Sequence, residues 1–285
     1  MAFIHIQPFS GNRSALAECE LSIMAVFRNE THVLAEWIGH YLRFGAQRFY
    51  LINNNSTDGY LEVLAPYIEA GLVQLFNCER DGYQDGAYRE VLAHIVDRTK
   101  WLGIFDLDEF VFPPSDTSFI SVLSGFGDAE AVLLPWLSFG SSGHTEQPAT
   151  VIHGFTRRGP AGISRSFLKP FLRPNAVVEM LHHNPRTING RKVLADGSPV
   201  GNESFIALDE ERLQKFKLVN NHYRLQSLRY FTDIKTSRPE VHESVAERRK
   251  KISFFEDNDP LWNSVSDTRL SEMTPILATE PSRCS

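Results

Sequence analysis

Four short apolar segments alternate with three helical patterns in the first third of the chain, and this alternation restricts the fold. The apolar segments are residues 21–27, 47–52, 72–76 and 101–105. Between them, apolar side chains recur at the three- and four-residue spacing of amphipathic helices. Strands that alternate with helices are typical of parallel βαβ units with right-handed crossovers. The sequence therefore predicts an α/β fold with a mainly parallel central sheet flanked by helices.

A polar cluster follows each of the four predicted strands. The clusters are Arg28-Asn29-Glu30, residues 53–58, residues 81–85, and Asp106 with Asp108. Ligands of open parallel sheets bind outside the carboxyl ends of the strands. We therefore expect all four clusters to gather at one edge of the sheet and to form a binding site there.

The last cluster contains two carboxylates, Asp106 and Asp108, separated by one residue. Side chains alternate along an extended chain, so both are expected on the same face. Two neighbouring carboxylates repel each other unless a positive group lies between them. Mn²⁺ or Mg²⁺ would meet this need, with water, another side chain or phosphate oxygens as further ligands. A solvated acidic turn is the alternative, because this short pattern is common by chance.

The second half of the chain is less regular. We expect a short helix at 117–123, a hairpin turn at Asp196-Gly197, and further elements as follows. The expected strands are 129–136, 166–172, 176–181 and 217–223, and the expected helices are 225–236 and 241–255. We divide the chain into an N-terminal arm (1–19), one domain (20–240), and a C-terminal helix and tail (241–285), polar and peripheral from Pro260.

Composition excludes some partners and favours one compartment. The net charge is −6, so the chain lacks the basic surface of a nucleic-acid-binding protein. Its three cysteines, Cys19, Cys78 and Cys284, form no zinc spacing or disulfide framework, which favours a reducing compartment. We see no signal peptide and no transmembrane segment. The expectation is a cytoplasmic protein; the basic run 248–251 is a solvated helix face or a patch for peripheral membrane association.

Six motifs occur in a characteristic order along residues 20–240. They are Arg28-Asn29-Glu30, Glu36-Trp37, Asn53 to Gly59, Asp106 to Phe110, Trp136 to Gly140, and His222 to Ser227. Together they resemble the family 2-like and family 92-like glycosyltransferases of the GT-A fold. The resemblance implies a nucleotide-sugar donor, Mn²⁺ or Mg²⁺ bound at the two aspartates, inverting transfer, and a carbohydrate or lipid-linked acceptor.

The resemblance also implies a role for individual residues. Carried over by position, Arg28-Asn29-Glu30 would lie beside the nucleoside. Asp106 and Asp108 would serve the ribose and the metal, and His222 would complete the metal's ligands. Lys235 matches a lysine that meets the diphosphate.

The segment from Asn53 to Asp58 would also contact the nucleotide, but it departs from the family at its first residue. Relatives often carry Asp at this position, where it accepts a hydrogen bond from uracil. The Asn53 oxygen can also accept, while its amide nitrogen suits an acceptor on another base. UDP-hexose is therefore favoured without other bases being excluded. A simple capping turn is the alternative for this segment.

Sugar transfer places negative charge on the diphosphate oxygen that leaves the anomeric carbon. A metal at Asp108, with Lys235 and Arg89, would stabilise that charge. Inversion also requires a general base beside the acceptor hydroxyl. We leave this base unassigned: His144 and Glu146 are the candidates, and Glu179 is a further one that lies within a predicted strand.

Several of these residues have ordinary structural explanations. His182 and His183 more often end a strand than bind metal, and His222 alone would be a core histidine. Trp101, Trp136 and Phe139 are expected in the core, although Trp136 could also face a sugar.

Two other classes of function remain open. A sugar nucleotidyltransferase would share the sheet and the carboxylates, but it would normally carry a glycine-rich phosphate loop after the first strand, and residues 27–32 contain no glycine. A non-catalytic protein that binds nucleotide sugars or glycans is the third possibility.

Overall fold

The computed structural model describes residues 4–6, 18–163, 166–237 and 250–275. The strands are β1 (Ile4–Ile6), β2 (Cys19–Phe27), β3 (Arg48–Asn53), β4 (Val73–Cys78), β5 (Thr99–Ile104), β6 (Glu109–Phe112), β7 (Ala131–Ser138), β8 (Arg157–Arg158), β9 (Ser166–Leu172), β10 (Val177–Glu179), β11 (Arg186–Thr187), β12 (Lys192–Leu194), β13 (Phe205–Ile206), β14 (Val219–His222) and β15 (Val265–Ser266). The helices are α1 (Thr31–Arg43), α2 (Tyr60–Glu69), α3 (Gln84–Ile95), α4 (Phe119–Ser124), α5 (Val151–Gly154), α6 (Glu210–Leu213), α7 (Leu228–Tyr230), α8 (Ile252–Trp262) and α9 (Arg269–Met273).

The predicted βα alternation is confirmed. Strands β4, β3, β2 and β5 are parallel neighbours in that order. Strand β1 pairs antiparallel with β4 at the outer edge. Residues 4–6, which we expected to be part of a loosely held arm, therefore contribute an edge strand.

Helix α1 shows why these apolar patterns form helices on this sheet. Its predicted stripe, which includes Trp37 and Tyr41, is fully buried in the hydrophobic core. Thr31 is the first residue of this helix. Its backbone N–H donates to the Asp58 carboxylate (2.9 Å), so a side chain from the β3–α2 loop satisfies this helix terminus. On α2, Leu61 is exposed although we expected it in the apolar stripe.

The sheet continues from β5 as a mixed sheet. The order beyond β5 is β9, β7, β14 and β6, with antiparallel pairs at β5–β9, β9–β7 and β14–β6 and a parallel pair at β7–β14. Strand β12 also pairs with β7, and β13 with β9. The expected turn at Asp196-Gly197 follows β12, where Gly197 adopts a positive φ of 88°.

The C-terminal region packs more closely than its composition suggested. Most of the predicted helix 241–255 lies outside the described residues, as do Arg248, Arg249 and Cys284. We expected the segment after Pro260 to be peripheral. This was wrong, because Trp262 and Leu270 are buried. Strand β15 pairs with β8 and joins this segment to the domain. Within the described ranges, no helix combines the length and apolar character needed to cross a bilayer.

Candidate active site

The loops after β2, β3 and β4 meet at one edge of the sheet, as predicted. The backbone N–H of Asn29 donates to the Ser56 hydroxyl (3.0 Å). The Asn29 side-chain oxygen in turn accepts from the backbone N–H of Thr57 (2.7 Å). Arg28 forms an ion pair with Asp81 from the loop after β4 (2.6 Å). These contacts fix the three loops to one another.

Lys235 joins this edge to the turn that follows β5. Its ammonium lies 2.6 Å from an Asp108 carboxylate oxygen and 3.9 Å from Glu30. All three side chains are buried. Lys235 comes from a π-helical turn, Phe231–Lys235, that continues α7. The four polar clusters therefore form one site, and the irregular half of the chain contributes a cation to it.

The two aspartates do not lie on an extended strand, so our alternation argument for them was wrong. Strand β5 ends at Ile104, and the backbone N–H of Glu109 donates to the Asp106 carbonyl oxygen (3.0 Å), which closes a turn. The Trp37 indole N–H is shared between the carbonyl oxygens of Asp106 (3.0 Å) and Glu109 (3.1 Å) and holds the turn in place. Each aspartate instead pairs with its own lysine.

Asp106 is paired with Lys169, a residue of β9 that is fully buried. The Lys169 ammonium lies 2.9 Å from one Asp106 oxygen, and the Gln84 amide donates to the other (3.2 Å). Burial acts to raise the pKa of Asp106, but the Lys169 charge outweighs it and the net shift is downward. The carboxylate is therefore ionised, and its side chain keeps 29% of its surface exposed toward solvent.

Asp108 is more enclosed and is held by Lys235 and His222. The His222 ring nitrogen Nε2 lies 3.4 Å from the second Asp108 oxygen. Burial would raise the pKa of Asp108, but the Lys235 and His222 groups hold it well below its usual range. Burial lowers the pKa of His222, which favours the neutral ring, and its Nδ1 is buried with no hydrogen-bond partner among the described residues.

Glu109 is a third acid that we did not single out from the sequence. It is fully buried, 3.4 Å from the Lys169 ammonium, and accepts a hydrogen bond from the Asn220 amide (3.2 Å). Burial raises its pKa well above the usual range; Lys169 opposes this shift, whereas the charges of Asp106 and Asp108 add to it. The direction of this shift favours the protonated form of Glu109, next to the two aspartates.

The candidate bases from the sequence are bonded elsewhere. A His144 ring nitrogen contacts the Gly154 carbonyl oxygen (2.9 Å), and Glu146 forms an exposed ion pair with Arg229 (3.0 Å). Glu179 pairs with Arg186 across β10 and β11. Within the part of the chain that the structure describes, no hydrogen bond or ion pair connects these three to the aspartates.

Asn53 and Asp58, which we predicted to contact the nucleotide, form hydrogen bonds within the protein. Arg89, the third predicted contact, lies away from them on α3. Both hydrogens of the Asn53 amide are donated within the protein, to Tyr60 (3.0 Å) and Asn77 (2.9 Å). Asp58 caps α1 through Thr31. Asp58 therefore serves the terminus of α1, the helix that precedes this segment, and Asn53 bonds within the protein. Arg89 is exposed on α3, and no ion pair joins it to the site among the described residues.

Trp136 lies at the site, whereas the other two aromatic candidates lie in the core. Its ring centroid is 4.2 Å from that of His222 and 5.3 Å from that of His183. Trp136 is partly exposed, so it can face a ligand while it packs against His222. Trp101 and Phe139 are buried in the core, as expected.

Lys169 is the residue that sequence reasoning missed most clearly. A signal was present, because Lys169 is the one charged residue of the apolar strand Ser166–Leu172. A charged side chain in a buried strand is seldom tolerated without a partner. The partner itself, Asp106, is 63 residues away and is not visible in any local pattern.

The fold and this acidic site define an α/β protein built to bind a ligand at the carboxyl edge of its parallel strands. The sequence model of glycosyltransferase family 92 matches residues 21–260. The chain belongs to glycosyltransferase family 92. The predicted α/β fold is confirmed by the sheet order, and the resemblance to glycosyltransferase family 92 is confirmed by the family model.

Individual relatives are distant. A glycosyltransferase family 92 protein of Ricinus communis is 28% identical over 189 residues, which cover 60% of this chain and 32% of the relative. A galactan beta-1,4-galactosyltransferase of Arabidopsis thaliana is 30% identical over 100 residues, 32% of this chain and 19% of the relative. The chain spans about a third of the length of the first of these relatives.

Solved structures are also similar only in part. The crystal structure of S. aureus TarS 1–349 in complex with UDP-GlcNAc superposes with a TM-score of 0.35 at 12% identity. The match covers 42% of this chain and 35% of that chain.

Proposed function

We propose that this chain is a metal-dependent, inverting glycosyltransferase that moves a hexose from a nucleotide diphosphate donor to a glycan or glycolipid acceptor. UDP is the favoured nucleotide. The observation that carries the proposal is the buried Asp108–Lys235–His222 cluster at the carboxyl edge of the parallel strands. Family membership supports the transfer of a sugar, and the cluster supplies the charges that such a transfer needs.

Asp108 and His222 fit a divalent cation as a pair of ligands. Among the described residues, no group of three or more His, Cys, Asp or Glu side chains is arranged to hold a metal ion. The facing Asp108 oxygen and His222 Nε2, however, are 3.4 Å apart. Adjacent ligands of Mg²⁺, at about 2.1 Å from the ion, lie roughly 3 Å apart. An ionised carboxylate and a neutral imidazole are also the protonation states that bind metal.

Two protein ligands leave most of an octahedral shell for water and for the oxygens of the donor diphosphate. Mn²⁺ or Mg²⁺ bound there would stabilise the negative charge that develops on the departing diphosphate. The Asp106 side chain keeps 29% of its surface exposed, as a contact with the ribose requires.

Lys235 and Lys169 supply the positive charges of the site. Lys235 is already fixed beside Asp108, so its charge need not reorganise when a diphosphate binds. Lys169 holds Asp106 in its ionised form from below. Trp136 provides a flat apolar surface next to His222 that can stack on a sugar ring.

The name of the Arabidopsis relative suggests the first substrates to test. It is called a galactan beta-1,4-galactosyltransferase, and it matches this chain over 100 residues. We therefore propose UDP-galactose as the first donor to try and a β-1,4-galactan oligosaccharide as the first acceptor.

Calorimetry with UDP, GDP and ADP, each with and without Mn²⁺, tests the proposal directly. We expect UDP to bind and its affinity to depend on the cation. The Asp108→Asn variant should lose this dependence, whereas Asp116→Asn, an exposed aspartate paired with Arg43, should keep it. Absence of cation-dependent binding to all three nucleotides would contradict the proposal.

Turnover separates transfer from the two other classes of function. Cation-dependent release of UDP from UDP-galactose, increased by the acceptor, is the expected result. Pyrophosphate-dependent chemistry would indicate a nucleotidyltransferase, and binding without turnover of any UDP-hexose would indicate a non-catalytic protein.

A further inference from the structure

A histidine oriented by a carboxylate lies beside this site and has no part in the chemistry described so far. The ring nitrogen Nδ1 of His182 is 2.7 Å from a carboxylate oxygen of Asp85, and the same oxygen accepts the backbone N–H of His182 (3.0 Å). Two contacts from one carboxylate fix both the position and the rotation of the imidazole. His182 keeps about 8% of its surface exposed.

Helix α3 brings this pair to the Asp106 side of the site. Gln84 and Asp85 are consecutive residues of its first turn. Gln84 donates a hydrogen bond to Asp106, and its neighbour Asp85 bonds His182. Two consecutive residues of one helix turn therefore contact Asp106 and His182. His182 also lies close enough to Asp106 to interact with it electrostatically, after the larger effects of burial, Lys169 and Asp108 on the pKa of that carboxyl.

Packed rings continue from His182 to the metal-binding pair. The His182 and His183 ring centroids are 4.0 Å apart, His183 and Trp136 are 5.3 Å apart, and Trp136 and His222 are 4.2 Å apart. His182 thus stands at one end of a wall of rings whose other end is His222 beside Asp108. A sugar that lies against Trp136 would lie between them.

The contact with Asp85 determines which nitrogen can take a proton. An ionised carboxylate only accepts hydrogen bonds, so in the neutral ring Nδ1 carries the hydrogen and Nε2 carries the lone pair. The carboxylate also stabilises the imidazolium that forms when Nε2 is protonated. This is the arrangement of a general base and its orienting acid.

The other acids and histidines at the site are less suited to this task. Each aspartate is paired with a lysine, and burial raises the pKa of Glu109, which disfavours the ionised form that a base needs. His183 is nearly enclosed, with Nδ1 directed at the Leu168 carbonyl oxygen (3.0 Å). Burial, with the Lys169 charge adding to it, lowers the pKa of His183 well below its usual range.

We propose that His182 is the general base of the transfer and that Asp85 is its positioning residue; this inference rests on the proposed function. Nε2 of His182 takes the proton of the acceptor hydroxyl as that oxygen bonds to the anomeric carbon. The bond from the anomeric carbon to the diphosphate oxygen breaks at the same time. Its electron pair leaves with the diphosphate, and the proton on His182 is later released to solvent.

Three variants test the assignment with UDP-galactose, Mn²⁺ and a β-1,4-galactan oligosaccharide. His182→Gln removes the base, and Asp85→Asn keeps the side-chain volume but removes the orienting charge. His153→Gln is the matched control, because His153 is a partly buried histidine that bonds a carbonyl oxygen, that of Thr274, outside the site. For each protein we would measure kcat, KM for the donor, and the affinity for UDP by calorimetry.

We expect His182→Gln to lower kcat by about 10²–10⁴-fold, the usual contribution of a general base, with UDP affinity and donor KM unchanged. Asp85→Asn should lower kcat by a smaller factor, also without loss of UDP affinity. His153→Gln should match the wild type.

The pH profile gives a readout that a purely structural role would not move. Among the described residues, Asp85, Asp106 and His183 are titratable groups that interact with His182, and Lys169 interacts with Asp106 and His183. None of these groups is changed in His182→Gln. If kcat of that variant no longer falls at acid pH, the fall in the wild type is due to protonation of His182. Partial recovery of the rate in His182→Ala by added imidazole is the second expected sign.

Two results would overturn the inference alone: wild-type kcat in His182→Gln, or equal losses of kcat and UDP affinity in both His182→Gln and Asp85→Asn. A wild-type protein that binds no UDP would overturn the proposed function as well, so the two failures are distinguishable.

Discussion

The two halves of the sheet are stabilised differently. In the parallel half, apolar side chains such as Trp37 and Tyr41 fill the core, and the ion pairs are exposed, as Lys100 with Glu20 shows. The mixed half adds charged groups that are buried with their partners. Lys169 with Asp106 is its clearest case, and Arg158 with Asp267 is a second buried pair, located at the separate two-stranded sheet of β8 and β15.

This difference has an energetic consequence. Exposed ion pairs contribute little to stability because water and salt screen them. A buried pair has paid the cost of leaving water, so removal of one partner strands an uncompensated charge. The mixed half should therefore be sensitive to single charge changes that the parallel half tolerates.

The turn at Asp108 is where the two halves meet, so the largest effect on activity is expected there. Asp108→Asn should lower kcat by about 100-fold or more, because it removes the carboxylate that orders the charges around the departing diphosphate. The protein should remain folded, as the amide is nearly the same size. Rates of UDP release and far-ultraviolet circular dichroism check both points.

Asp116→Asn is the control for that variant, since Asp116 is an exposed aspartate of the same chain that pairs with Arg43. Undiminished turnover in Asp108→Asn would show that the junction of the two halves is not the catalytic centre.

Lys169→Met should give the largest loss of stability. It removes the cation beneath Asp106 and Glu109 and leaves a carboxylate without its partner, at a cost of about 3–5 kcal/mol in the free energy of unfolding. Denaturant titration measures this loss. Lys100→Met, which breaks an exposed pair, should leave the transition midpoint unchanged. Equal effects of the two substitutions would remove the contrast between the halves.

The same contrast explains how much the sequence could predict. The four parallel strands and three helices were predictable because their apolar spacing is a local pattern that burial in one core enforces. The two aspartates were predictable as site residues because they follow a strand of that pattern. Their geometry was not, because the turn depends on the distant Trp37 indole.

For a related reason, local patterns in the sequence do not reveal the two lysines that pair with the aspartates. Lys169 and Asp106 are 63 residues apart, and Lys235 and Asp108 are 127 residues apart. Of these two lysines only Lys235 was identified, and that came from resemblance to a family. Long-range polar pairing has no period along the chain, so composition and spacing do not reveal it.

Asp267→Asn tests a buried charge pair away from the site, at the two-stranded sheet of β8 and β15. Asp267 is buried and accepts hydrogen bonds from Arg158 (2.6 Å) and Arg269 (2.8 Å). Arg158 keeps its second partner, Glu210, so we expect a smaller loss than for Lys169→Met, about 1–3 kcal/mol. Denaturant titration measures it, with Asp128→Asn as the exposed control. No loss would show that the C-terminal segment is held by apolar packing alone.

Glu109→Gln should have an effect of opposite sign, an increase in stability toward neutral pH. Burial keeps the proton on Glu109 in the folded protein by raising its pKa, whereas the unfolded chain loses that proton near pH 4.3. Above that pH, up to the folded pKa, the unfolded chain therefore binds fewer protons. The free energy of unfolding then falls as the pH rises, by up to about 1.4 kcal/mol per pH unit.

Glutamine resembles the neutral acid and does not titrate, so the variant should lose this fall. Urea titrations of both proteins at pH 5, 6 and 7 should show a flatter pH dependence and a higher relative stability for Glu109→Gln at pH 7. Parallel pH dependences would mean that Glu109 is ionised in the folded protein. The Lys169 ammonium would then be paired with two carboxylates, those of Asp106 and Glu109.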